Sequence, residues 1–162
     1  MKSNLLDTIS NQPVCIVGLL LVDDGPDHLH SCLDFCMGIK RDAKAPGRLI
    51  AIVDEKKGQS VRLTSHYEKN AAVDWITWRS NADSLTFASS ISEIQRAQQW
   101  AIVLMGGFGR PWVESAGRLC HKTFLSISLG SNQSYPKVRR EVMKLRDAGV
   151  QIAGSYVTSR AA

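Results

Sequence analysis

The chain has 162 residues, of which 44% are hydrophobic and 22% are charged. It is therefore long enough to form one domain with its own core, and its composition is that of a globular protein rather than of a disordered one. The longest apolar run, residues 14–22, is far shorter than the roughly 18 residues that a membrane span needs, so no membrane partner is expected. The first residues lack the charged-then-apolar layout of a signal peptide, and the expected location is the cytoplasm.

The net charge of +5 is concentrated in the last third of the sequence. Residues 106–162 contain nine basic and three acidic side chains, whereas residues 1–105 contain 11 basic and 12 acidic ones. A positive field of this kind favours anionic partners, such as a phosphorylated small molecule, a nucleotide or nucleic acid. A basic surface that contacts only solvent is the competing interpretation.

Continuously apolar segments alternate with segments of helical periodicity along the whole chain. The predicted elements are, in chain order, strand 13–22, helix 26–40, strand 48–55, strand 61–65, strand 71–78, helix 90–99, strand 100–105, helix 111–120, strand 123–129, helix 136–148 and strand 150–157. Ser90, followed by Glu93, fits a capping box at the start of the predicted helix 90–99. Trp75 and Trp78 are three residues apart and should therefore lie on opposite faces of their strand.

Apolar strands that alternate with helices predict a fold class. Such strands are buried on both faces, as in a parallel sheet covered by helices. The sequence therefore predicts a single α/β domain over residues 1–162, a three-layer Rossmann-like sandwich with a mostly parallel central sheet. Residues 1–12 are predicted to be a flexible N-terminal segment.

A glycine-rich turn, "GGFGRP", follows the strand 100–105. In an open parallel sheet, ligands bind beyond the carboxyl ends of the strands. Glycines allow the backbone to approach a ligand closely, the following helix start favours an anion, and an arginine can donate a forked pair of hydrogen bonds to phosphate. The residues predicted to bind a phosphorylated ligand are Gly106, Gly107, Gly109 and Arg110, flanked by Ser131 and Asn132 after the next strand. An ordinary strand-to-helix turn is the competing interpretation.

The segment "ISEIQRAQQWAIVLMGGFGRPWVESAG" resembles the core of the LOG-like (lysine-decarboxylase-like, SLOG) Rossmann family. In that family a helix and an apolar strand precede a turn of the form PGGxGTxxE. Residues 106–109 match the GGxG, and Glu114 lies one place beyond the expected glutamate. The resemblance implies nucleotide binding at the turn and, in the LOG enzymes, hydrolysis of a nucleoside monophosphate. Met105 and Arg110 replace the family's proline and threonine, which favours binding without catalysis.

Acidic and metal-ligating side chains allow further interpretations. If the chain is catalytic, Glu114 and Asp54 are the acid/base candidates. Asp23, Asp24 and Asp54 follow two strands that are predicted to be neighbours, where carboxylates could hold Mg²⁺ for phosphoryl transfer or nuclease chemistry.

Histidine and cysteine, the residue types that most often bind zinc, lie along one side of the first predicted helix. His28, Cys32 and Cys36 are spaced at i, i+4 and i+8, but the core-facing side of the helix explains this spacing more simply than zinc. With Cys15 and Cys120, the cysteines are expected to be free and mostly buried thiols. No metal site and no particular cofactor is predicted.

The predicted helix 136–148 carries the densest positive charge of the chain. The basic residues that could contact a protein partner or nucleic acid are Lys137, Arg139, Arg140 and Lys144. A regulatory or interaction module that uses this helix is therefore an alternative to ligand binding at the glycine turn, and a solvated helix face is the simpler interpretation of the same residues.

Overall fold

The computed structural model describes residues 7, 9, 15–23, 25–54, 73–130 and 133–158. Six strands lie within them: β1 (Ile16–Leu21), β2 (Gly47–Asp54), β3 (Val73–Trp78), β4 (Trp100–Gly107), β5 (Lys122–Ser128) and β6 (Ile152–Thr158). The helices are α1 (Pro26–Asp42), α2 (Asp83–Arg96), α3 (Val113–Leu119) and α4 (Tyr135–Asp147). The predicted strand 61–65 and most of the predicted flexible segment lie outside the described residues.

The six strands form one sheet in the order β3-β2-β4-β1-β5-β6, and every pair is parallel. The predicted α/β class with a parallel central sheet is therefore confirmed. One detail is wrong: β1 and β2 are not neighbours, because β4 lies between them. The carboxylates of Asp23 and Asp54 consequently follow strands that are separated by a third strand.

Helices cover the sheet on both faces, and each face has its own apolar core. On one face α1 packs through Cys32, Leu33, Cys36 and Ile39. The other face carries α2, α3 and α4, with Trp112 among its largest buried side chains. Trp75 packs with the α1-side core and Trp78 with the opposite core, so the predicted separation of these two side chains is confirmed. No described helix is both long enough and apolar enough to cross a lipid bilayer.

Strand β4 contains one extra residue near its end. Leu19 of β1 pairs with Leu104, but Leu21 pairs with Gly107, so three steps along β4 correspond to two steps along β1. Gly106 lies within this β-bulge and has a φ of +76°. Because a side chain at this φ is strained, the bulge explains why a glycine occupies position 106.

Helix α2 begins earlier than the sequence indicated. The predicted capping box at Ser90 and Glu93 is wrong, since Ser90 lies inside the helix and its hydroxyl donates to the carbonyl of Thr86. The carboxylate of Asp83 instead accepts hydrogen bonds from the backbone N–H groups of Arg79 and Ser80, at 2.6 and 3.0 Å. These two donors lower the pKa of Asp83 below its ordinary value.

Thr123 of β5 provides a test of the core. Its hydroxyl is fully buried and has no hydrogen-bond partner among the described residues. Because a buried hydroxyl without a partner costs free energy that a methyl group does not, we expect Thr123→Val to stabilise the fold by about 1 kcal/mol. Urea unfolding measures this change, and a destabilisation would show that the hydroxyl has a partner.

All four cysteines are free and buried, as predicted. Burial raises the pKa of Cys36 above its ordinary value and raises the pKa of Cys120 from 9.0 to about 12. In the unfolded chain both thiols ionise near their ordinary value, whereas the folded protein keeps them protonated to much higher pH.

The raised thiol pKa values predict a loss of stability at alkaline pH. The contribution of Cys120 is fully present below pH 9.0 and is lost as the pH rises from there to about 12. One pH unit above 9.0, the loss for Cys120 is on the order of 1 kcal/mol. Unfolding free energies measured between pH 8 and 10 check this slope, which Cys120→Ala should make shallower; an unchanged slope in that variant contradicts the assignment.

Candidate functional site

The topology places a crevice at the end of β1. From β1 the chain crosses through α1 to β2 on one side, whereas from β4 it crosses through α3 to β5 on the other side. Because such crossovers are right-handed, α1 and α3 lie on opposite faces of the sheet, so the connections that follow β1 and β4 diverge at the carboxyl ends of these strands. A change of direction of this kind is where open α/β sheets bind their ligands.

A cavity of about 250 Å³ opens at this crevice, between the glycine turn and α4. We call it the turn cavity. Its lining residues come from the end of β1, the turn after β4 and the start of α4: Val22, Gly107, Phe108, Gly109, Gln133, Lys137, Val138 and Glu141. Three segments that are far apart in the sequence therefore meet in one pocket.

A second cavity of about 250 Å³ adjoins the first. We call it the apolar cavity. It shares Val22, Gln133 and Val138 with the turn cavity and is otherwise lined by the end of β5 and the first residue of α4: Ile127, Ser128, Leu129, Gly130 and Tyr135. The two cavities together offer a polar compartment beside an apolar one.

The charges in the turn cavity come from α4. Lys137 is in the first turn of this 13-residue helix, which has no acidic residue in that turn and no side-chain cap on its N-cap residue Ser134. The partial positive charge at the N-terminus of the helix and the positive charge of the Lys137 ammonium group therefore reinforce each other at the same place. Glu141 brings a carboxylate to the cavity wall, and the ammonium of Lys144 lies 3.2 Å from it.

The three glycines of the turn have different roles in the structure. Gly106 forms the bulge of β4, Gly107 is the last residue of the strand, and a Cβ placed on Gly109 would meet nothing within 4 Å. Gly107 and Gly109 line the turn cavity, and Gly106 does not. The N–H of Arg110 donates to the carbonyl of Gly107 at 3.3 Å, which closes the turn.

Arg110 points away from the turn cavity. Its guanidinium Nη1 lies 3.9 Å from a carboxylate oxygen of Asp54, at the end of β2, and its Cζ lies 5.8 Å from the centre of the Trp112 ring. The side chain of Arg110 is 17% exposed. Asp54, Arg110 and Trp112 therefore form a cluster on the β2 side of the crevice, where Trp78 of β3 also contacts Trp112.

The other predicted site residues are dispersed. Glu114 forms an ion pair with Arg118 one turn later in α3, at 3.3 Å, and does not line the turn cavity. Ser131, Asn132 and Asp24 lie outside the described residues. Across the described ranges, no three His, Cys, Asp or Glu side chains are grouped as metal ligands.

The predicted stripe of His28, Cys32 and Cys36 lies on the buried side of α1. The His28 Nδ1 is 2.7 Å from the carbonyl oxygen of Asp23 and must donate to it, so the Nε2 of the neutral ring accepts the hydroxyl of Ser126 at 2.7 Å. The Ser126 hydroxyl oxygen also lies 3.1 Å from the Cys32 thiol, which can donate to it. This buried network ties the β1–α1 loop and α1 to β5.

Sequence reasoning missed Val22, Gln133 and Glu141 as cavity residues and treated Lys137 as part of an outer helix face. The rule that ligands sit beyond strand ends pointed to the segment 130–134, which contains Gln133, and chose Ser131 and Asn132 from it. The same rule could have found Val22, the last residue of the predicted strand 13–22. The pairing of Lys137 with the glycine turn required the strand order, which no local pattern contains.

No family model matches the chain, and no curated protein matches it. Solved structures do match. The kinase domain of VpsO has a TM-score of 0.63 and 18% identity, covering 96% of this chain and 91% of its own. The kinase domain of Escherichia coli tyrosine kinase ETK has a TM-score of 0.64 and 14% identity, covering 99% and 74%.

A de novo designed protein with the P-loop NTPase fold matches with a TM-score of 0.55 and 15% identity, covering 88% of this chain and 83% of its own. A P-loop is a strand–GxxxxGK[ST]–helix unit whose backbone and lysine hold phosphates. The present sequence has no Gly-Lys pair, and its β1–α1 connection reads "VDDG". The chain therefore shares the fold of these proteins, with acidic side chains in the loop where a P-loop carries its lysine.

Proposed function

We propose that the chain is a binding domain for a nucleotide or another phosphorylated small molecule, and that the ligand's phosphate occupies the turn cavity. The observation that carries this proposal is the convergence of the glycine turn with Lys137 at the crevice between β1 and β4. Donors and positive charge at this edge of a parallel sheet are suited to an anion.

The acidic β1–α1 loop supports a phosphate position on the α4 side of the crevice. The carboxylate of Asp23, just after β1, would repel a phosphate at the start of α1, whereas the first turn of α4 has a lysine and no acidic residue. The adjoining apolar cavity, with Tyr135 and Leu129 in its wall, offers room for the less polar part of a ligand. A nucleotide has this combination of a charged end and a flat apolar end.

The proposal is limited to binding. The resemblance of residues 91–117 to the LOG-like family supports a nucleotide as the ligand, and hydrolysis would need an acid or base at the phosphate or sugar. Glu114 is paired with Arg118 outside the cavity, and Asp54 faces Arg110. We therefore expect Glu114→Gln to leave ligand binding unchanged.

Titration calorimetry at low salt, with ATP, GTP, AMP and ribose 5-phosphate as probes, tests the proposal. Lys137→Ala should weaken binding about tenfold, because a charge-assisted contact contributes on the order of 1.5 kcal/mol. Glu141→Gln should strengthen it severalfold, because it removes a carboxylate from the cavity wall. Arg140→Ala is the matched control, since this exposed cation of the same helix does not line the cavity.

Two outcomes would overturn the proposal: no binding of any of these probes at millimolar concentration, or equal effects of Lys137→Ala and Arg140→Ala. Arg110→Ala gives further information about the same site. A larger loss in this variant than in Lys137→Ala would place the phosphate on the Asp54 side of the glycine turn.

A further inference from the structure

Strand β6 forms an edge of the sheet that the described residues leave without a second partner strand. It is last in the strand order and, within the described part of the chain, pairs with β5 alone. Natural sheets protect such edges with charged residues, proline or coverage by other elements. The residues of β6, "IAGSYVT", include no charged residue and no proline, whereas the opposite edge strand β3 has Asp74 in an ion pair with Arg48. The β6 edge is therefore suited to pairing with another strand.

One flank of α4 lies beside this edge. Tyr135, Arg139, Met143 and Arg146 are spaced by four, four and three residues and so share one side of the helix. We call them the α4 strip. A guanidinium nitrogen of Arg146 is 3.5 Å from the carbonyl of Ile152, the first residue of β6, so the strip and the edge are adjacent.

The composition of the α4 strip is that of a protein interface. Tyr135 is 76% exposed and Met143 is 53% exposed, and an arginine lies between them. Aromatic residues, methionine and arginine are enriched in interface cores, whereas lysine and glutamate are depleted. Val157 of β6 is also exposed, and its strand partner Ile127 belongs to the core beneath α4.

The charge of the strip selects among possible partners. A second copy pairing edge to edge through β6 would bring two sets of Arg139 and Arg146 together, and like charges oppose that arrangement. Arg139 has no ion-pair partner among the described residues, so an acidic partner would gain a contact without breaking an existing one.

We propose that the β6 edge and the α4 strip bind an extended acidic segment of a protein partner, which adds to the sheet as a further strand beside β6. Main-chain hydrogen bonds to β6 would supply affinity, as in other cases of strand addition. Because side chains alternate along a strand, acidic residues at every second position would all face Arg139 and Arg146. This surface shares Tyr135 with the apolar cavity, but it does not include Lys137 or the glycine turn. Substitutions of Arg139 and Arg146, which line neither cavity, therefore test it separately from the ligand site.

Fluorescence anisotropy with a labelled alternating Glu–Val octapeptide tests the proposal on the full chain at low salt. We expect binding that Arg139→Glu with Arg146→Glu weakens at least tenfold. The matched control is Arg140→Glu with Lys144→Glu, which changes the same charge on the other flank of α4 and should weaken binding less than threefold. An octapeptide with a central proline, which cannot complete the hydrogen-bond ladder, should bind at least tenfold more weakly.

Several results would overturn the proposal. They are equal effects of the two double variants, equal binding of the proline peptide, tighter binding of a single-stranded DNA oligonucleotide than of the acidic peptide, or a dimer in sedimentation that Val157→Lys dissociates. The first two would reduce the interaction to general charge attraction, the third would assign the surface to nucleic acid, and the fourth would assign it to a second copy of the chain.

Discussion

Gly47→Ala is expected to destabilise the fold by about 3 kcal/mol or more, at the upper end of the cost of overpacking a core. A Cβ on Gly47 would overlap three ring atoms of Trp100, its neighbour on β4. The indole has no room to move, because it is fully buried and its N–H donates to the carbonyl of Ala45 at 2.8 Å. Urea unfolding, or loss of soluble protein on expression, measures the effect.

Gly109→Ala is the matched control for this experiment. A Cβ at Gly109 meets no atom within 4 Å, so the change should alter the free energy of unfolding by less than about 0.5 kcal/mol. If Gly47→Ala were as well tolerated as Gly109→Ala, the indole of Trp100 would have to possess a second position within the core.

Ser126→Ala is expected to cost about 2 kcal/mol. The hydroxyl of Ser126 donates to His28 and can accept from the Cys32 thiol, and all three side chains are buried. Its removal leaves the His28 Nε2 and the thiol hydrogen without this partner in the core, which costs the desolvation of those groups. The measurement is again the free energy of unfolding in urea.

Ser128→Ala, two residues along the same strand, serves as the comparison. The Ser128 hydroxyl makes one solvent-exposed contact of 3.4 Å with the carbonyl of Leu129, so its loss should be nearly neutral. Similar small losses for both variants would mean that the His28 network contributes little to stability.

The sheet could be predicted from the sequence because local patterns determine its elements. Continuous apolar runs at residues 14–22 and 100–105 predicted strands buried on both faces. The spacing of Val138, Val142 and Leu145 predicted the buried side of α4. The start of α2 was missed because "SISE" at residues 90–93 matches a capping box inside the helix. Ser80 and Asp83, which carry the same spacing at the true start, were the available signal.

The site could be predicted only in part, because its residues meet through the strand order. The sequence indicated the glycine turn and the basic helix as separate candidates, and the structure brings Gly107, Gly109 and Lys137 to one cavity. It also places β4 between β1 and β2, which separates the carboxylates of Asp23 and Asp54 that had been expected together. Pairings between distant strands depend on the packing of the whole sheet rather than on local propensity.

The bulge at Gly106 reverses which face of the sheet the even-numbered and odd-numbered side chains of β4 point to. Before it, even-numbered side chains such as Leu104 face α1 and odd-numbered ones such as Met105 face the other core. By that count Phe108 would face α1, yet it packs with the core on the opposite face and forms a wall of the turn cavity. One inserted glycine thus exchanges one face of the sheet for the other at the strand end, and a chain lacking it would present the cavity with a different side chain.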